Sequence, residues 1–168
     1  MTELNFTQVL TAVAQLAQPY SSNYSPNNPM ANFLFPDRRG AFDVVTQGIQ
    51  RQFGVEISAV DFARLESVGT LATMVAMALN SDQAVPQIVN TVIQGNRVNP
   101  ASALGLDVEL TDNNLRGSQI CGTSGLLKVA IDCEEYFGVE IGNESLPRLK
   151  TGNDIVQHVR QGLLAAAR

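Results

Sequence analysis

Side chains able to carry out chemistry are few in this 168-residue chain. It has one histidine, His158, and two cysteines, Cys121 and Cys133. A nucleophile, a base and an orienting group cannot be assembled around one histidine that lies within an apolar helical pattern. The cysteines lack the spacing of a zinc site, and no calcium-loop or phosphate-loop pattern is present. The sequence therefore predicts no enzyme and no metal site.

Two hydroxyl side chains, Thr123 and Ser124, precede the apolar pattern of a helix. A hydroxyl at this place can accept an N–H of the first turn, which stabilises a helix by about 1 kcal/mol. The same helix end is a natural site for a phosphate group. Capping is the favoured interpretation, and covalent modification stays open beside it.

An internal repeat in the sequence indicates which helices hold these residues. The pentapeptide Phe-Gly-Val-Glu-Ile occupies positions 53–57 and returns at 137–141, which is 84 positions later. Such a fixed-period repeat indicates two copies of one small domain. We predict domains at 1–82 and 83–168, separated by a small polar link at 80–84.

Each half shows the same helical order. The first helix ends before Pro19 in the first half and begins near Pro86 in the second, and a long loop follows each, 20–36 and 95–122. Second helices then run to Gly54 and Gly138, glycines that suit a helix C-terminus. A short helical turn and a last helix complete each half. The apolar spacing of three and four residues predicts an all-α protein made of two four-helix bundles.

Three segments of the second half carry a family resemblance, Leu-Thr-Asp-Asn-Asn-Leu-Arg at 110–116, Glu-Glu-Tyr-Phe-Gly-Val-Glu-Ile at 134–141 and Leu-Pro-Arg-Leu-Lys-Thr-Gly-Asn-Asp-Ile at 146–155. With these segments the chain resembles an acyl or peptidyl carrier protein across most of residues 86–165. The first half is similar to the latter part of that family over about 42–79. The resemblance implies two tandem carrier-like bundles with long first loops.

Carrier proteins of this family carry phosphopantetheine on the serine of an Asp-Ser-Leu motif at the start of the second helix. Counting back the family's interval from Phe137 reaches Thr123, and counting back from Phe53 reaches Arg39. Neither half keeps the motif. Arg39 has no hydroxyl, and Ser124 lies one residue out of register. The absence of the Asp-Ser-Leu motif from both halves predicts that carrier chemistry is lost and that no cofactor is bound.

Two groups of residues are predicted to contact other proteins. Glu134 and Glu135 lie on the second helix, which is the face by which carrier proteins of this family dock on their enzymes. In the first half, the loop and helix start offer aromatic and arginine side chains of the kinds enriched at interfaces. These residues are Phe33, Phe35, Arg38 and Arg39.

The charge balance bears on the class of partner. A formal net charge of -5 argues against binding a phosphate backbone, so nucleic acid is not an expected partner. Charged residues make up 16% of the chain, below the roughly 25% of a typical domain. Because interface cores are depleted of charge, this composition fits burial in an assembly. No apolar run approaches the roughly 18 residues of a membrane span, so we expect a cytoplasmic chain or one incorporated in an intracellularly assembled particle.

These observations predict a non-catalytic, carrier-like subunit of a larger protein assembly, with a virion or similar particle as one setting. The alternative function is a working acyl carrier that bears phosphopantetheine on Thr123 or Ser124. A third interpretation is a lipid or small-ligand binder that uses the bundle interior.

Overall fold

The computed structural model describes residues 3–22, 33–34, 38–65, 67–97, 105–111, 115 and 125–166. Helices dominate these ranges, which confirms the prediction of an all-α protein. The chain divides into two compact units, Met1–Ala84 and Val85–Arg168. The carrier-like assignment of domains 1–82 and 83–168 stays a prediction.

The helices follow the order expected from the sequence. They are α1 (Phe6–Ala17), α2 (Arg38–Phe53), α3 (Ala59–Arg64), α4 (Val68–Gly95), α5 (Gly125–Phe137) and α6 (Gly152–Ala166). Single 3₁₀ turns lie at Gln18–Tyr20 and Leu146–Arg148. Two short strands, β1 (Ser21–Ser22) and β2 (Phe33–Leu34), pair antiparallel. Both strands lie within the stretch 20–36 that we predict as an irregular loop. Their pairing gives hydrogen-bond partners to backbone N–H and C=O groups of that stretch.

Helix α1 forms because a cap and an apolar face agree. The Asn5 side chain accepts the Gln8 N–H at 3.2 Å, which satisfies one of the free donors at the helix start. Phe6, Val9 and Val13 follow at helical spacing, and all three are buried. The helix ends at Ala17, which confirms the predicted end before Pro19.

The second helices, α2 and α5, bury matched faces and stop at matched glycines. Val45 and Ile49 of α2 are fully buried, as are Val129 and Cys133 of α5, which lie 84 positions later. Gly54 and Gly138 have φ values of 70° and 66°, so each supplies the left-handed conformation that ends the helix. The predicted helix stops are confirmed.

The last helices of the two units, α4 and α6, begin with reciprocal capping interactions. Ser67 Oγ accepts the Thr70 N–H, and Thr70 Oγ1 accepts the Ser67 N–H at 3.1 Å. In the second unit Thr151 Oγ1 accepts the Asp154 N–H, and Asp154 Oδ2 accepts the Thr151 N–H at 3.1 Å. Both pairs follow the logic of a capping box, and they lie 84 positions apart.

The predicted polar link at 80–84 contains a break in α4 at Asn80 and the boundary between the two compact units at Ala84, although residues 81–84 are helical. Asn80 has an extended backbone (φ -163°, ψ 96°), and its side chain accepts the Gln83 N–H at 3.2 Å. Asn80 therefore ends one helical segment and caps the next. Pro86 lies inside α4 rather than in a first turn, because the cap begins the second segment several residues earlier.

We predict that Asp154→Ala lowers the free energy of unfolding by about 1–2 kcal/mol. The carboxylate accepts two backbone N–H groups, of Lys150 at 2.9 Å and Thr151 at 3.1 Å, and alanine leaves both without this acceptor. Urea unfolding of the full chain measures the loss. The control is Asn153→Ala at the exposed neighbouring position, which should change the stability by less than about 0.5 kcal/mol. Equal effects of the two substitutions would contradict the capping role.

Candidate functional site

The helix-two region of each unit contains the predicted attachment positions. Helix α2 begins at Arg38, so Arg39 is its second residue. Phe33 belongs to β2. Phe35, Cys121, Thr123 and Ser124 lie outside the described residues. Their predicted roles in contact, capping or modification stay predictions.

A loop residue covers the start of α5 in the second unit. Leu115 is buried, its N–H donates to the Thr111 carbonyl, and its backbone bridges to Arg97. A Cβ on Gly125, the first residue of α5, would lie 2.3 Å from Leu115 Cβ and 3.0 Å from its carbonyl carbon. Glycine at 125 therefore allows the loop backbone to approach the helix end.

The exposed faces of the two second helices differ. In α2 Val44 is 51% exposed, and Arg51 donates to the Gln47 side chain at 3.4 Å. In α5 the position aligned with Gln47 is Ile131, which is 38% exposed. The position aligned with Val44 is Lys128. The two units thus present different surfaces at equivalent sites.

The predicted acidic pair of α5 separates into two roles. Glu134 Oε1 accepts the Ile141 N–H at 2.7 Å, so this carboxylate holds the connector that follows the helix. Its counterpart Gln50 donates to Glu56 Oε1 at 3.2 Å, across a similar connector in the first unit. Glu135 is exposed. The sequence signal for the connector role of Glu134 is the repeat of the connector itself in the two halves. Sequence spacing alone does not show the bond between Glu134 and the Ile141 N–H.

The first unit has a surface pocket between α2, the connector 54–58 and α3. Its volume is about 410 Å³. The lining is largely polar and includes the side chains of Gln47, Gln50, Glu56 and Asp61. The pocket lies at the surface, which is not the interior lipid site of the third interpretation.

A polar cluster lies inside the second unit, at the end of its first helix. Asn96 Nδ2 donates to Asp132 Oδ2 at 2.9 Å and also to the Val92 carbonyl. Lys128 and Asp132 form an ion pair at 2.5 Å, one turn apart on α5. Asn96 and Asp132 are both buried. Sequence reasoning missed this cluster, since its main bond joins residues 36 positions apart.

Burial controls the titratable groups next to this cluster. Burial raises the pKa of the Cys133 thiol, and the negative charges of Asp132 and Glu134 raise it further. Burial, with Asp132 the leading charge, likewise raises the pKa of the Tyr136 hydroxyl. A thiol held neutral is a poor nucleophile and a poor metal ligand, so Cys133 acts as a small apolar core residue.

The remaining candidates are placed as follows. His158 lies half-buried in α6. Across the described ranges, His, Cys, Asp and Glu side chains form no group of three or more that could hold a metal ion. None of the helices in the described part of the chain combines the length and apolar character that a bilayer crossing requires.

No family model matches the chain, and no match was found among curated proteins or solved structures.

We predict that the raised pKa of Cys133 makes the protein lose stability at alkaline pH. The folded thiol stays neutral while the unfolded thiol ionises near its ordinary pKa of 9.0, so the contribution is fully present below pH 9 and falls above it. The extra loss approaches about 1.4 kcal/mol per pH unit for one proton. Urea unfolding between pH 8 and 11 measures it.

The control for this experiment is Cys133→Ala, which removes the thiol and keeps Tyr136. Its unfolding free energy should fall less steeply above pH 9 than that of the unsubstituted chain. Parallel profiles would show that the thiol is not the cause. In addition, iodoacetamide should label Cys133 in urea and leave it unlabelled in the folded protein.

Proposed function

We propose that this chain is a tandem carrier-like protein without carrier chemistry that serves as an interaction or structural subunit of a larger protein assembly. Each unit would be a four-helix bundle of the carrier type. The second helices and the long first loops would dock on other subunits, with no turnover. A virion or a similar intracellularly assembled particle is one setting for such a subunit.

The order of elements supports the carrier-like part of the proposal. Each unit has a first helix, a long connection, a second helix that stops at glycine, a short turn and a last helix. The glycine stops and the capping boxes fall at equivalent positions of the 84-residue repeat.

The observation that carries the interaction proposal is the difference between the exposed second-helix faces. Val44 of α2 lies one turn before Gln47, whereas Ile131 lies between Lys128 and Glu135 in α5. An apolar centre within a polar rim is the usual anatomy of a protein interface. Two different faces fit two different partners better than one shared partner.

The alternative function is phosphopantetheine attachment in the second unit. Helix α5 begins at Gly125, directly after the hydroxyl residues Thr123 and Ser124 in the sequence. A helix N-terminus favours a phosphate group through its free N–H groups and its dipole. The first unit offers Arg39 at the corresponding position and has no such route.

A face substitution tests the interaction proposal. We expect Ile131→Glu to lower recovery of the stoichiometric partners by at least about tenfold when the tagged chain is purified from its own cells, because an interface centre excludes charge. The measurement is the molar ratio of co-purified proteins by quantitative mass spectrometry.

The matched control is Leu164→Glu, which places the same charge on an apolar residue of α6 that is 67% exposed and does not belong to a second helix. It should leave the ratios unchanged. Circular dichroism of both variants checks that the fold is kept. A chain that sediments from its own cells as a free monomer, with no stoichiometric partner, would exclude the proposal.

Intact mass separates the proposal from its alternative. The chain is co-expressed with a broad-specificity phosphopantetheinyl transferase, and a known carrier protein is the positive control. We expect no added arm on this chain. An added phosphopantetheine that Thr123→Val or Ser124→Ala removes would establish the alternative and overturn the loss of carrier chemistry.

A further inference from the structure

One of the equivalent positions at which the two second helices differ holds Gly48 in α2 and Asp132 in α5. Each position faces the end of the first helix of its own unit. A Cβ on Gly48 would lie 2.6 Å from Leu16 Cδ2, so Leu16 covers the glycine. Asp132 instead accepts a hydrogen bond from Asn96 at 2.9 Å. One contact is apolar and the other is polar.

Exchange of the first helices would break the polar contact. With α1 packed on α5, Leu16 would face the Asp132 carboxylate in place of Asn96. Asp132 is 9% exposed, so water could not fully replace the lost donor. A buried charged acceptor that loses a partner is destabilised by more than the bond contributes when it is made.

The reverse exchange would damage the apolar contact. With segment 81–97 packed on α2, Asn96 would face Gly48, which has no side chain to accept its amide hydrogen. The Leu16 side chain would also be withdrawn from the glycine, and the gap would reduce packing contacts. Both wrong pairings are therefore disfavoured, each for a different reason.

We propose that the Leu16–Gly48 and Asn96–Asp132 pairs form a pairing code that directs each first helix to the second helix of its own unit. Tandem copies of one fold are prone to exchange equivalent elements during folding. The first helices both present apolar residues, such as Val13 and Val92, and such contacts discriminate weakly between partners. A contact that is favourable with one partner and unfavourable with the other supplies the discrimination.

The Lys128–Asp132 ion pair stabilises the carboxylate and is not part of the code. Lys128 lies one turn before Asp132 on the same helix, so it accompanies the carboxylate in both the correct and the exchanged pairing. It therefore supports the charge without choosing between first helices. Asn96 is the residue that makes α5 favour one first helix over the other. A Lys128→Gln substitution should therefore leave the helix pairing unchanged.

The test erases the difference between the units in the full-length chain. The variant Asn96→Leu/Asp132→Gly gives the second unit the contact of the first. Each protein is unfolded in urea, refolded and examined by ¹⁵N NMR through the amide signals of Ile49 and Cys133, which are fully buried on the two second helices. We expect one signal each for the unsubstituted chain, and a second set of about one-tenth or more for the erased-code variant.

Two further variants separate the code from simple loss of stability. Val159→Ala removes packing at a buried residue of α6 in the same unit that belongs to neither pair, so it should keep single signals. The exchanged-code variant adds Leu16→Asn/Gly48→Asp to the erased-code substitutions, with Val44→Lys to supply the ion-pair partner that Lys128 gives Asp132, and thereby moves each contact to the other unit. It should return to single signals, because the two units differ again.

A single set of signals from the erased-code variant would overturn the proposal. A doubled set that persists in the exchanged-code variant, or a doubled set in Val159→Ala, would overturn it as well. If the erased-code variant fails to fold, the exchanged-code variant decides the question: single signals support the code, and failure to reach one folded state excludes it.

Discussion

Each unit depends on a glycine that lets its second helix stop and turn. Gly54 and Gly138 take φ values of 70° and 66°, and among the described residues no atom beyond those adjacent in the chain lies within 4 Å of the place that a Cβ would occupy. Glycine is therefore needed for its backbone conformation and not for lack of space. A residue with a side chain is less stable in this left-handed conformation by roughly 1–2 kcal/mol. The turn directs the connector so that Ile57 and Ile141 enter the cores.

The capping boxes fix the other end of the same segment. Chain length between glycine stop and cap is identical in the two units, from Gly54 to Ser67 and from Gly138 to Thr151. An insertion there would displace either the buried connector or the start of the last helix. This constraint explains why the 84-residue period holds across the second half of each unit. The long first loops, predicted at 20–36 and 95–122, differ between the units in sequence.

How much the sequence could predict depends on how local each interaction is. Apolar spacing and the glycine at 54 and 138 are local signals, so the second helices and their ends were predictable. Thr151 and Asp154 also form a readable capping pattern. Pro86 misled the prediction because proline favours a first turn, whereas the Asn80 side chain begins the segment earlier. The Asn96–Asp132 bond joins residues 36 positions apart, and no local pattern announces it.

The charges of α5 bear on what its exposed face can do. Lys128 pairs with Asp132, and Glu134 accepts the Ile141 N–H, so both side chains are held within their own unit. A charge that already has an internal partner loses less hydration when another surface covers it. Ile131 is left as the apolar centre of a face whose neighbouring charges are partly compensated. The chain has few charged residues, and Lys128 and Glu134 already have partners within their own unit. Both properties favour a surface that can be buried against protein.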